Sequence, residues 1–171
     1  MLQTSQEIAE WVTRALEAKQ DAARALEMAA YMKTEMPFFG VPASQRDALL
    51  KDVTAQIAPS RSQDEYEERV LTLWAKDHRE QKYLAVRLAR WDRAFVQVPS
   101  FGLYETMIRE GAWWDFVDEI SNHLVGAGLR KDPEVGWAQI DSWIEDPDFW
   151  IRRTALLCQL GAKKQTDAAR L

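Results

Sequence analysis

The segment Trp113-Trp114-Asp115-Phe116-Val117-Asp118 is the most unusual stretch of this 171-residue chain. On a helix, Trp114 and Asp118 stand four residues apart and share a face. A carboxylate beside a large π surface makes a poor core, because an unpaired buried charge is costly. It suits a cation: the ring face attracts positive charge, and the carboxylate stabilises that charge as it develops. Spacing by itself favours the blander reading, a core tryptophan next to a solvated or salt-bridged surface acid. Asp115 reads as a cap or first-turn acid. A second candidate is Trp150-Ile151-Arg152-Arg153-Thr154-Ala155, whose arginines can grip a phosphate through two hydrogen bonds or simply line a helix surface. Between Lys76 and Arg93, six basic residues (Lys76, Arg79, Lys82, Arg87, Arg90, Arg93) stand against three acidic ones (Asp77, Glu80, Asp92). In a chain of net charge −5, such a stretch can face DNA, although a solvated helix face has the same composition.

The rest of the inventory excludes much. Two histidines, His78 and His123, and one cysteine, Cys158, leave no disulfide and little with which to hold a metal. Cys158 sits in an apolar run with Leu156, Leu157 and Leu160 and reads as a core thiol. His123 reads as a structural or surface residue. There is no Gly-rich phosphate loop, no Gly-x-Ser-x-Gly and no Glu-x-x-His pair. No metal and no cofactor are therefore expected. Apolar residues make up 47% of the chain and charged ones 29%, enough for a packed core. No apolar run reaches membrane-spanning length, and Met1 to Trp11 has no apolar core of a signal peptide. A reduced, cytoplasmic location is expected, with no membrane partner.

The elements that must position these residues are helical. Seven glycines and six prolines are few, good helix formers dominate, and alternating β-branched runs are missing. Capping and periodicity predict nine helices. Thr4 with Glu7 opens the first. The others cover roughly 21–33, 44–57, 62–76, 79–91 and 99–111, then a seventh from Trp113 to the Gly126–Gly128 region. Asp132-Pro133 opens an eighth, to about Ile144, and Asp146-Pro147 a ninth, to about Leu160. Thr166 to Leu171 are too few for another. Leu73-Trp74-Ala75-Lys76-Asp77 is echoed by Ser142-Trp143-Ile144-Glu145-Asp146, 69 residues later, about two helical-pair units. Trp11, Trp74, Trp91, Trp137 and Trp143 read as packing residues. The expected fold is all-α: an α-solenoid of stacked antiparallel helical pairs, HEAT-like repeats in an ARM-like superhelix, as a single domain over 1–171.

From about Met28 to Leu171 the sequence resembles the AlkD-like DNA alkylation repair glycosylases, which are built from HEAT-like repeats. The resemblance rests on several separate matches in the family's order. These are Ala30-Tyr31-Met32-Lys33, Phe38-Phe39-Gly40-Val41 leading to Arg46 and Leu49-Leu50-Lys51-Asp52, Leu73-Trp74, and the two segments around Trp114 and Arg153. The resemblance implies excision of cationic N3- or N7-alkylated purines from double-stranded DNA by hydrolysis of the N-glycosidic bond. It implies Asp118 as the catalytic aspartate and Trp114, Trp113, Arg153 and Tyr31 as substrate-binding residues. It places Arg46 against the DNA backbone; Lys51 and, from the basic stretch, Arg87 and Arg90 are expected to face the DNA as well. It also implies further helices beyond Leu171 carrying another cleft tryptophan. A last helix with Trp150, Ile151, Ala155, Leu156, Leu157 and Leu160 would then have a bare face, left exposed or covered by a second copy as a homodimer. The competing reading is a non-catalytic HEAT-like module that binds DNA or protein.

Overall fold

Thr4 opens the first helix as its spacing predicts. Its hydroxyl accepts the Glu7 N–H, and the Glu7 carboxylate accepts the Thr4 N–H in return. Helix α1 (Ser5–Glu17) then turns Ile8, Ala9, Val12 and Leu16 inward. Burying each of the larger ones contributes roughly 1.5–3 kcal/mol. The computed structural model describes residues 1–170. Leu171, the end of the expected tail, lies outside the described residues. Regular structure among the described residues is all helical, consistent with a helical repeat solenoid.

The chain divides into two compact units, Met1–Trp91 and Asp92–Leu171. In the first, α1 is followed by α2 (Ala22–Met32), α3 (Ala43–Thr54), α4 (Gln63–Trp74) and α5 (Arg79–Trp91). Helix α4 packs on α1 and α5, and α3 packs on α5. Asp21 caps α2 and Ser62 caps α4 through their side chains. The Phe38–Val41 loop is tied down from inside: the fully buried Glu80 carboxylate accepts the N–H groups of Phe39, Gly40 and Val41 at 3.0, 2.8 and 3.0 Å. Gly40 has φ +84°, and a Cβ there would sit 2.1 Å from the Asp21 carbonyl oxygen, so glycine is required.

The second unit begins with two short 3-10 turns (Arg93–Phe95, Val98–Ser100), followed by α6 (Phe101–Gly111) and α7 (Trp114–Ile120). A π-helical turn (Ser121–Val125) joins α7 to α8 (Gly126–Lys131) without a break. Helices α9 (Pro133–Ile144) and α10 (Phe149–Leu157) complete it, with 3-10 turns after them. The expected seventh helix thus continues past its glycines. Gly126 serves close approach instead of termination: a Cβ there would lie 2.1 Å from the Cys158 carbonyl oxygen. Asp132 and Pro133 start α9 as predicted. Helix α10 starts later than expected, because Asp148 is the cap, accepting the Trp150 N–H, while the Asp146 carboxylate is engaged by Arg109.

Trp74 and Trp143, the two members of the sequence echo, are both buried near the C-terminal ends of α4 and α9. Cys158 is buried as expected. The bare face expected on the last helix is only half bare: Ile151 and Ala155 are buried by the unit's own helices, whereas Phe149, Leu156 and Leu160 are exposed. No helix among the described residues is long and apolar enough to cross a membrane.

Candidate active site

Helix α7 has two faces with different work. Phe116, Val117 and Ile120, continued by Ser121 and Leu124, are buried. Trp114 and Asp118 lie one turn apart on the other side, with Trp114 44% exposed and Asp118 half-buried. The entry to α7 is tight. Ala112, at φ 36°, ψ 42°, takes the left-handed conformation that ends α6, which costs a residue with a Cβ about 1–2 kcal/mol. Trp113 follows in extended conformation and caps α7 by its backbone. Its half-buried ring sits 6.0 Å from that of Trp150, which in turn meets Phe149 edge-on at 5.1 Å. Trp113 is thus held by α10, whereas Trp114 presents its ring outward.

Asp118 and Arg153, 35 residues apart in sequence, meet in space. Arg153 Nε donates to Asp118 Oδ1 at 2.7 Å, and Nη2 donates to Oδ2 at 2.8 Å. Both side chains remain about a third exposed. The hydrogen bonds to Asp118, reinforced by charge attraction, raise the Arg153 pKa further above its ordinary value. A carboxylate has about four lone-pair positions and a guanidinium five N–H groups. The pair therefore keeps two acceptor positions on Asp118 and three donors on Arg153 for other partners.

The pair is framed by contacts that sequence reasoning missed. Ser121 and Thr154 are fully buried, and their hydroxyls meet at 3.1 Å between α7 and α10. A polar residue inside an apolar stripe (Ile151, Thr154, Ala155, Cys158) was the available signal, since buried hydroxyls need partners. On the other side of α10, Arg109 of α6 donates to Glu105 and to Asp146, both at 2.6 Å, and reaches Asp148 at 3.5 Å. These hydrogen bonds hold the Asp146 carboxyl below the usual carboxylate range. They also fix the turn from which α10 departs.

The remaining expected site residues belong to the first unit. Tyr31, at the end of α2, is 77% exposed. It lines a cavity of about 320 Å³ with Met28, Met32, Phe38, Arg46 and Tyr83. Arg46 donates to the Val41 carbonyl at 2.7 Å and lies 4.6 Å over the Tyr83 ring. Lys51 and Arg90 are exposed, and Arg87 is ion-paired with Asp47. The basic stretch is not one solvated stripe. Arg79 is buried against Tyr83 and Met36, and Lys82 folds back onto the Trp74 carbonyl and ring. Among the described residues, no group of three or more His, Cys, Asp or Glu side chains is placed to hold a metal.

The sequence model of a family described as DNA alkylation repair enzyme matches residues 12–171. Among solved structures, the fold is similar to that of a predicted DNA alkylation repair enzyme from Enterococcus faecalis. The TM-score is 0.75 at 25% sequence identity, covering 89% of this chain and 70% of that one. No curated protein matches. The family match runs through both units and includes Trp114, Asp118 and Arg153, so the chain belongs to the DNA alkylation repair enzyme family.

Proposed function

We propose that the protein is a DNA glycosylase that hydrolyses the N-glycosidic bond of cationic N3- or N7-alkylated purines in double-stranded DNA. The observation that carries this reading is the Asp118–Arg153 pair beside the outward-facing Trp114. An ion pair about a third exposed contributes only about 0–1 kcal/mol to stability, so stability is a poor reason for building it. Orientation is a better one. Two parallel hydrogen bonds fix the plane of the Asp118 carboxylate, whose side chain stays about a third exposed.

The chemistry then follows from charge. Alkylation makes the purine cationic and a good leaving group. As the C1′–N bond breaks, its electron pair goes to the purine, which becomes neutral, and positive charge moves onto the sugar. Asp118 stabilises that charge and orients a water whose oxygen bonds to C1′, the water's proton passing to Asp118 and on to solvent. Trp114 holds the cationic nucleoside against its ring face. Arg153 keeps Asp118 in place and has donors left for a backbone phosphate. Binding by Tyr31, Trp113, Arg46, Lys51, Arg87 and Arg90 belongs to the same proposal.

The test is single-turnover release of 7-methylguanine from an alkylated duplex, read by chromatography. Wild type should release the base. Asp118→Asn keeps the shape and removes the charge, so release should fall about a hundredfold or more, with duplex affinity nearly unchanged, because the interaction strengthens only as the cation forms. Wild-type protein that binds the duplex but releases nothing supports the non-catalytic module. That module is favoured by the net acidity of the chain and by the internal partners of Arg79, Lys82 and Arg87. Undiminished release by Asp118→Asn refutes the assignment of Asp118.

A further inference from the structure

Ser121 follows Asp118 by three residues on the α7 side, and Thr154 is the residue after Arg153 on α10. Both are completely buried. Their hydroxyls hydrogen-bond each other at 3.1 Å, and each also reaches the carbonyl four residues back on its own helix. For Ser121 this is Val117 O, at 2.5 Å; for Thr154 it is Trp150 O, at 3.0 Å. Each hydroxyl has one proton, so two of these three contacts form at a time, and the bond between the helices is made when Ser121 donates to Thr154 Oγ1, which in turn donates to the Trp150 carbonyl. Removing one member leaves the other a carbonyl to bond, so neither hydroxyl is needed to keep its partner satisfied. What the contact between the helices adds is register. It pins α7 to α10 within one turn of Asp118 and beside Arg153, where the π-helical turn (Ser121–Val125) leaves α7. Such turns are frequent at functional sites.

We infer that Ser121 and Thr154 are positioning residues: their bridge sets the register in which Arg153 meets Asp118 with two parallel hydrogen bonds. The inference rests on the catalytic reading of Asp118 for its effect on rate, but not for its effect on geometry. Both oxygens of Asp118 accept from Arg153 at 2.7 and 2.8 Å. Sliding one helix along the other breaks one of these bonds first and lets the carboxylate rotate. A misplacement of about an ångström at a reacting group can lower a rate about a hundredfold.

The experiment compares Thr154→Val, which keeps the shape and removes the hydroxyl, with Thr154→Ser, which keeps the hydroxyl. Two readouts are used. The first is single-turnover release of 7-methylguanine, with duplex affinity measured separately. The second is the NMR signal of the Arg153 Nε–H, which a fixed bond to Asp118 protects from solvent exchange. Thr154→Val should lose roughly tenfold or more in release at unchanged affinity and should lose the protected Nε–H signal, while Thr154→Ser retains both. Adding Ser121→Ala to Thr154→Val should cause little further loss, because both changes cut one bridge. The inference is overturned if Thr154→Val keeps the protected signal, or if Thr154→Ser loses as much as Thr154→Val. If wild type releases no base, the glycosylase reading falls, and the Nε–H signal still decides whether the bridge sets the pair.

Discussion

Replacing Glu80 by Gln should destabilise the first unit more than a change of one atom in a surface-like stretch would lead one to expect. The wild-type carboxylate is fully buried; Oε2 accepts from Phe39 N–H, and Oε1 accepts from both Gly40 and Val41 N–H. A glutamine amide offers one oxygen. With that oxygen kept on Gly40 and Val41, its NH₂ group faces the Phe39 N–H, donor against donor. One bond to a charged group, worth about 1.5–3 kcal/mol, is lost, and the other two weaken as the charge goes. The expected loss is about 3 kcal/mol. At about 2–4 °C per kcal/mol for a chain of this length, Tm should fall roughly 6–12 °C. Thermal melts by far-UV circular dichroism measure it, and urea melts check that the slope is unchanged. The loop also holds the candidate DNA-facing Arg46 through the Val41 carbonyl and contributes Phe38 to the Tyr31 cavity, so duplex affinity should drop with it. A fall in Tm below about 2 °C would refute the claim that this carboxylate organises the loop.

Two further outcomes follow from the second unit. Arg109→Gln removes the cation on which Glu105, Asp146 and Asp148 converge. It should lower stability by about 1 kcal/mol at low salt, since the group is more than a third exposed, and the difference from wild type should shrink at high salt. A salt-independent difference would contradict the electrostatic account. Because Arg109 depresses the folded-state pKa of Asp146, this stabilisation is present above about pH 4 and is lost as pH falls through the depressed value. Burial raises the Cys158 thiol from 9.0 to about 11, so its folded form stays protonated where the unfolded chain ionises. The stabilisation is full below about pH 9 and disappears as pH rises through about 11. Iodoacetamide should label Cys158 at pH 8 many-fold more slowly in the folded protein than in urea; equal rates would show that the thiol is open to solvent.

What the sequence makes legible is what local chemistry decides. Thr4 with Glu7, Ser62 and Asp132-Pro133 mark helix starts because each cap bonds an N–H two or three residues away. Gly126 misleads because its reason is remote: the carbonyl of Cys158 needs the space a Cβ would fill. Asp146-Pro147 misleads in the same way, since Arg109, 37 residues earlier, takes the Asp146 carboxylate and leaves Asp148 to cap α10. Glu80 is read as one acid in a basic stretch, yet its partners are backbone groups 39 to 41 residues away, which no side-chain pattern announces. The candidate site has the same character. Residue types and the spacing of Trp114 and Asp118 place them on one face of a helix, and resemblance adds Arg153. Neither tells that Arg153 turns to Asp118 instead of waiting for a phosphate. That outcome depends on the offset between α7 and α10, which the Ser121–Thr154 contact and the Arg109 cluster hold from two sides. An arginine one turn out of register would leave Asp118 an ordinary surface acid on the same sequence motif. On the proposed reading, the site therefore depends on the packing of α10 against α7 as much as on the identity of the aspartate.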